Sequence, residues 1–260
     1  MARERRAVSQ VDEDQVLDEG VLEGRNAVME ALRSGRTIDK VYLAAGETDS
    51  GLARLAAMAR EAGAVVSPVD RRKLDRMSAT GAHQGIIAQV AAHAYVSIEE
   101  MLELAARRGE PPLLVVCDEL SDPHNLGAIL RSAECAGAHG VVIPKRRGVG
   151  LTVTVAKASA GAVEYMPVAR VPNLAATLRE LKARGVWVYG AAAGGAAPLY
   201  QADLKGPAAL VIGSEGRGMS RIVAETCDLL VSIPMNGRIS SLNASAAAAI
   251  LLYEAVRQRQ

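Results

Sequence analysis

The stretch LLVVCDELSDPHNLGAILRSAECAGAHGVVIP, residues 113–144, opens and closes on apolar runs with a helical pattern between them. Both runs are β-branched and nearly continuous, the mark of strands buried on two faces. Between them, Pro123 keeps Asp122 out of helical geometry, and Asn125 is placed to cap the helix that follows. Leu126, Ile129, Leu130 and Ala133 then share one apolar face, with Arg131 at its edge, ~100° round from Leu130. Downstream, VWVYGAA (186–192), AALVIG (208–213) and LLVSIP (229–234) have the same strand character. Helical stretches near 152–161, 173–184 and 218–226 separate most of them, and an Ala-rich helix over about 243–257 follows. This alternation predicts an α/β domain on a mainly parallel sheet with helices on both sides. The ligand of such a sheet sits outside the carboxyl ends of its strands.

Upstream, the pattern is that of a smaller α/β unit over residues 21–92. A helix carrying Val28 and Leu32 is closed by Gly35, IDKVYLAA (38–45) is a strand, and a helix over 52–63 stops at Gly63. AVVSPV, a short helix from Asp70 and GIIAQVA (85–91) complete it. Residues 1–20 are polar, of mixed charge and without period, which predicts a flexible tail. Residues 93–111 are expected to be a linker. It holds an amphipathic helix from Ser97 to Arg108, begun by a Ser97/Glu100 capping box and broken by Gly109, Pro111 and Pro112. The larger domain is then 112–260.

Composition narrows the function classes. Half of the 260 residues are hydrophobic, yet aromatics are 3% and Phe is absent, so the core must be Ala, Val, Leu and Ile. No apolar run reaches the ~18 residues of a membrane span, and the charged start does not resemble a secretory signal. Three scattered cysteines lack metal-ligand spacing and suit a reducing cytosol. The expectation is a cytoplasmic protein with no membrane and no metal. The net charge of +1 gives no global field for nucleic acid. Any such contact must use local runs, Arg71-Arg72-Lys73 with Arg76 or Lys145-Arg146-Arg147, which are equally ordinary as solvated surface.

Three predicted strands end in unusual polar sequences. After 113–117 comes Asp118-Glu119-Leu120-Ser121-Asp122-Pro123-His124-Asn125. Asp118 and Glu119 lack the His or Cys partners of a metal site and are taken as a turn. After 208–212 comes Gly213-Ser214-Glu215-Gly216-Arg217-Gly218-Met219, whose glycines permit positive φ and close backbone approach. This is neither a dinucleotide fingerprint nor a phosphate-binding Walker loop. After 229–233 comes Pro234-Met235-Asn236-Gly237-Arg238-Ile239-Ser240-Ser241-Leu242-Asn243, richer in polar groups than one helix cap requires. Taken singly, each has a purely structural reading.

Taken in order, D-P-x-N-L-G-x-x-x-R, G-x-E-G-x-G-M-S and I-P-M-x-G-x-x-S-S-L-N-x-S resemble the SpoU (TrmH-like) branch of the SPOUT RNA methyltransferases. The resemblance covers essentially 21–260. The front unit, with Gly24-Arg25-Asn26-Ala27-Val28 and His83-Gln84-Gly85, is similar to that of the bacterial 23S rRNA guanosine-2′-O-methyltransferases, which resembles RNA-binding ribosomal proteins. The resemblance implies a trefoil-knotted catalytic domain, a homodimer, S-adenosylmethionine as cofactor and rRNA, in particular 23S rRNA, as substrate. It implies that Gly213, Ile233, Met235 and Leu242 contact the cofactor, and that Asn125, Arg131, Glu215, Ser241 and Asn243 form the catalytic cluster. RNA contacts are expected from Arg25, His83, Arg71, Arg72 and Lys73.

Methyl transfer needs no metal; the protein must exclude water, align the attacking oxygen and handle the hydroxyl proton. Because Arg stays protonated in nearly all protein settings, Arg131 is better suited to stabilising a developing alkoxide than to removing a proton. Two other classes fit less well. A non-catalytic RNA-binding assembly factor leaves the triple motif unexplained, and a nucleotide-dependent oxidoreductase lacks its fingerprint. Within the methyltransferase class, tRNA or another rRNA nucleotide is the rival substrate.

Overall fold

The computed structural model describes residues 20–46 and 49–260. The expected tail, residues 1–20, lies outside the described residues except for Gly20. The chain divides into two compact units, one up to Ala92 and one from His93.

The first unit comprises β1 (Val21–Glu23), α1 (Arg25–Arg33), β2 (Ile38–Ala44), α2 (Ser50–Glu61), β3 (Val65–Val69), α3 (Arg71–Met77) and β4 (Ile86–Val90). Among the described residues these strands form a four-stranded sheet in the order β1-β4-β2-β3. Alternate residues of β2 and β4 feed its two faces. Val41, Ile86 and Ala88 pack against Val28, Leu52, Leu55 and Ala59 of α1 and α2. Ala44 and Ile87 pack against Leu74 and Met77 of α3. Asp49 and Asp70 cap α2 and α3 through their side chains.

The second unit begins with α4 (Ile98–Arg108), β5 (Leu113–Cys117), α5 (Pro123–Cys135), β6 (Gly140–Pro144), α6 (Val153–Ala158), β7 (Val168–Val171) and α7 (Leu174–Ala183). It continues with β8 (Trp187–Ala191), β9 (Ala197–Pro198), β10 (Ala208–Ile212), α8 (Arg221–Thr226), β11 (Leu229–Ser232) and α9 (Ala244–Arg259). The seven-stranded sheet among the described residues runs β7-β6-β5-β10-β8-β11-β9, with every neighbouring pair parallel. On one face, Leu113, Val115 and Leu210 meet Leu126, Ile129 and Leu130 of α5 and Leu251 and Leu252 of α9. On the other, Leu114, Val116, Ala209 and Val211 meet Met101 of α4 and Leu178 and Leu181 of α7. The sheet is therefore buried on both faces, which is why its strands are so continuously apolar.

Residues 93–111 are not a free linker. The capping box of α4 forms, with Glu100 N–H donating to Ser97 Oγ at 3.1 Å and Ser97 N–H donating to Glu100 Oε2 at 2.7 Å. The helix then buries Ile98, Met101 and Ala105. A Cβ on Gly140 would run into the Met101 side chain, so helix and sheet meet without a gap. An amphipathic helix with an apolar face must bury it, and here that face closes the second unit's core.

Candidate active site

Parallel strands send their carboxyl ends to one edge, so the loops after β5, β10, β8 and β11 emerge side by side. In the first, Asp122 rather than Asn125 caps α5: its side chain accepts the His124 N–H at 2.8 Å, and Pro123 occupies the first helical turn. The expected cap role for Asn125 is thus corrected. Pro at the first helical position suits its fixed φ, and it makes Asn125 the third residue of the helix, its side-chain amide not needed for the cap. Asn125 is buried, 5% exposed.

The second loop is a tight hairpin. Ser214 N–H donates to the Gly218 carbonyl at 3.0 Å and Gly218 N–H to the Ser214 carbonyl at 2.9 Å. Gly216 and Gly218 have φ of 81° and 68°, the left-handed region. A Cβ on Gly213 would overlap the Gly218 carbonyl carbon and the Met219 nitrogen, so this glycine is required by the loop's own return. Asp118, read from sequence as a turn residue, is buried and accepts the Ser220 N–H on Oδ2 at 2.6 Å. It latches the exit of the second loop to the end of β5. Its signal in the sequence was a carboxylate directly after an apolar strand.

The third loop, residues 233–242, has no regular structure, and among the described residues its backbone makes no backbone–backbone hydrogen bond. It ends on Asn243, whose Oδ1 caps α9 by accepting Ser245 N–H at 2.9 Å and Ala246 N–H at 3.3 Å. Because that oxygen is committed to donors, the orientation of the amide is fixed and its Nδ2 faces the other way. There it donates to Glu215 Oε1 at 2.5 Å and to Asn125 Oδ1 at 2.8 Å. Asn125 Nδ2 donates to the same Glu215 oxygen at 3.0 Å. Three side chains from three separate motifs are closed into one triangle.

Two expected members stand apart from it. Arg131, six residues beyond Asn125 on α5, is exposed and has no hydrogen bond or ion pair among the described residues. Ser241 is likewise exposed and without a side-chain partner there. Of the residues expected at the cofactor, Ile233 packs against the core, while Met235 and Leu242 are 39% and 38% exposed. Ile239, not singled out from sequence, is 73% exposed in the same loop. Exposed apolar side chains beside unpaired backbone groups are the lining an adenosine-bearing cofactor needs, an apolar surface for the base and amides for its polar edge.

In the first unit, the RNA expectations divide. His83 is 2% exposed, with Nδ1 accepting the Gly85 N–H at 3.0 Å and Nε2 2.9 Å from Asp75 Oδ1. Both ring nitrogens are engaged inside the unit, so in this structure His83 shapes the 83–85 turn. Arg25 ties that turn to the cap of α2, through Nε to the Gln84 carbonyl at 3.3 Å and Nη1 to Asp49 at 2.7 Å. Arg71, Arg72 and Lys73 are exposed along α3, with Lys73 5.8 Å from the ring centre of Tyr42.

Comparison with known proteins places this geometry. Residues 112–253 match the SpoU rRNA Methylase family, and residues 21–96 match the RNA 2′-O ribose methyltransferase substrate binding family. The chain belongs to the SpoU methylases. A Bacillus subtilis relative assigned provisionally to the TrmH family of tRNA/rRNA methyltransferases, YacO, is 50% identical, with 91% of this chain and 94% of the relative covered. The 23S rRNA (guanosine-2′-O-)-methyltransferase RlmB of Ralstonia nicotianae is 48% identical over 92% of this chain and 96% of its own. Among solved structures, the SpoU methyltransferase AviRb from Streptomyces viridochromogenes in complex with AdoMet has a TM-score of 0.59 at 28% identity, covering 92% of this chain and 89% of that one. This SpoU methylase is accordingly an RNA methyltransferase that uses S-adenosylmethionine. No described helix is long and apolar enough to cross a membrane.

Proposed function

We propose that this SpoU methylase modifies the ribose 2′-hydroxyl of a guanosine in 23S rRNA, acting in the cytoplasm as a homodimer. The observation that carries the reading is the Asn125–Glu215–Asn243 triangle, because it joins all three motifs at the carboxyl edge of the sheet. The choice of 23S rRNA is supported by 48% and 44% identity, over 92% of this chain in each case, to relatives named for that reaction. The trefoil knot is part of the proposal; the irregular 233–242 segment and the return of α9 onto α5 are consistent with it.

When bound, S-adenosylmethionine supplies a methyl group on a sulfonium that is already an activated leaving group. The Gly213 hairpin and the backbone of Ile233, Met235 and Leu242 are assigned to hold it. Asn125, Glu215 and Asn243 hold these loops in register, so that water is excluded and the reacting oxygen is aligned. Arg131 and Ser241, whose side chains have no partner among the described residues, are assigned to the incoming ribose. The Arg131 guanidinium would stabilise negative charge as it develops on the 2′-oxygen. Arg71, Arg72 and Lys73 of α3, and Arg25 at the start of α1, are assigned to RNA phosphates.

The test is a map of 2′-O-methylation along 23S rRNA from cells with and without this protein. Loss of one guanosine methylation is expected; an unchanged map overturns the substrate assignment. The rival substrate, tRNA, is favoured by the naming of the Bacillus subtilis relative for both RNAs, and a parallel map of tRNA decides between them.

A further inference from the structure

Lys145, Arg146 and Arg147 follow β6 directly. Since β6 pairs in parallel with β5, their loop leaves the sheet at the edge that carries Asn125, Glu215 and Asn243. Its backbone is held at both ends. Lys145 N–H donates to the Val171 carbonyl at 2.8 Å, and Arg170 Nη2 donates to the Lys145 carbonyl at 3.2 Å. Val149 N–H donates to the Leu120 carbonyl at 2.8 Å, and Leu151 N–H to the Tyr95 hydroxyl at 2.9 Å. Arg147 Nη1 reaches Glu119 Oε1 at 3.3 Å. Leu120 and Glu119 belong to the turn that leads into α5, so the basic loop and the Asn125 loop are one connected piece.

Two further features bear on this loop. Arg147 and Glu119, the two ends of the ion pair, both have left-handed φ, 61° and 54°. Such strain persists only where surroundings over-determine it, and it gathers at functional sites. Some surface arginines of the second unit are matched with carboxylates, Arg107 with Glu103, Arg184 with Glu99, Arg221 with Glu225 and Arg257 with Glu254, while Arg131, Arg217 and Arg238 are exposed without such a partner among the described residues. The side chains of Lys145 and Arg146 have no such partner among the described residues, and Arg146 is exposed. With the backbone held at both ends of the loop, the freedom these cations lose when an anion arrives is mainly that of their side chains.

We propose that Lys145 and Arg146 bind the phosphates flanking the ribose to be methylated, making this loop a second RNA-binding element built into the catalytic unit. The inference rests on RNA being the substrate. It adds a positioning element at the site to whatever grip the front unit supplies.

The test uses the full chain and a 23S rRNA transcript, with Lys145→Ala/Arg146→Ala, the single variant Arg146→Lys, and Lys205→Ala as a charge control at the opposite, amino edge of the sheet. Removing one cation from a phosphate should make the log affinity–log salt slope shallower by about 0.7–0.9. The double variant should therefore fall by about 1.4–1.8 in slope and raise KM roughly tenfold or more, with cofactor affinity unchanged. Arg146→Lys should restore most of its share, and Lys205→Ala should match the native chain. An unchanged KM and slope in the double variant, beside an active native chain, overturns this proposal alone. A native chain without affinity for RNA overturns the underlying reading with it.

Discussion

Glu215 accepts two amides through one oxygen, and this makes it the residue on which the three motifs depend. Hydrogen bonds to a charged acceptor contribute about 1.5–3 kcal/mol, against about 0.5–1.5 for a neutral one. Glu215→Gln keeps an oxygen in place and should lose about 1 kcal/mol of stability. Glu215→Ala strands the buried Asn125 amide and should lose about 1–3 kcal/mol, with a matching fall in cofactor affinity. Denaturant unfolding and a cofactor titration check both, and an Ala variant equal to the native chain would dissolve the triangle's role. Arg131 makes the opposite case, a side chain with no partner among the described residues. Arg131→Ala should keep the fold and the cofactor affinity yet lose at least ~10²-fold in single-turnover methylation. Arg131→Lys should recover part of that rate by retaining the charge. The residue types of the triangle were legible in the sequence, but their geometry was not. Asp122 and Asn125 are both good caps, and only the placement of Pro123 at the helix start decides between them. Nor does a sequence distinguish a surface histidine from one like His83, which the turn encloses.

At the scale of elements, the strands of the larger sheet were readable because both faces are covered, which demands unbroken apolar runs. β1, β7 and β9 were missed for physical reasons. β1 has three residues on an edge, β7 carries Arg170 in an otherwise short run, and β9 is an edge pair containing Pro198. The Gly213 hairpin was legible as a loop, although its glycine proves to serve the loop's own closure. Gly213→Ala should therefore destabilise the chain and weaken cofactor binding together, whereas a glycine needed only for ligand approach would lose affinity alone. Thermal melts beside cofactor titrations separate the two. The start of β6 offers a pH test. His139 is 1% exposed, accepts the Leu113 N–H at 3.0 Å and sits 3.0 Å from Glu110. Burial holds its pKa below the ordinary 6.5, although Glu110 pulls the other way. The unfolded chain then takes up a proton before the folded one, so stability is lost as pH falls below about 6.5. Denaturant midpoints measured from about pH 8 to 5 should fall for the native chain and fall less for His139→Gln. Equal slopes would remove His139 from the account.

The molecule as a whole is two units with separate cores, and the boundary lies at Ala92/His93 rather than after a linker. Placing α4 in the second unit required knowing that its apolar face meets Leu114 and Val116; amphipathicity alone does not name the partner. A fragment spanning 93–260 should therefore fold more stably than one spanning 112–260, which leaves that sheet face bare. The longer fragment should bind S-adenosylmethionine with nearly native affinity by calorimetry and fail to methylate rRNA. Full turnover by the fragment would show that the front unit has no part in substrate recognition. The knot proposed for this unit could not be read from any sequence pattern, because threading is a property of the whole path and leaves no local period. The most direct measurement is transfer of labelled methyl from S-adenosylmethionine to unmodified 23S rRNA by the purified full chain, followed by digestion to nucleosides. The account predicts label in 2′-O-methylguanosine at a single position, abolished by Arg131→Ala. Label on a base, or on tRNA with none on 23S rRNA, would contradict it.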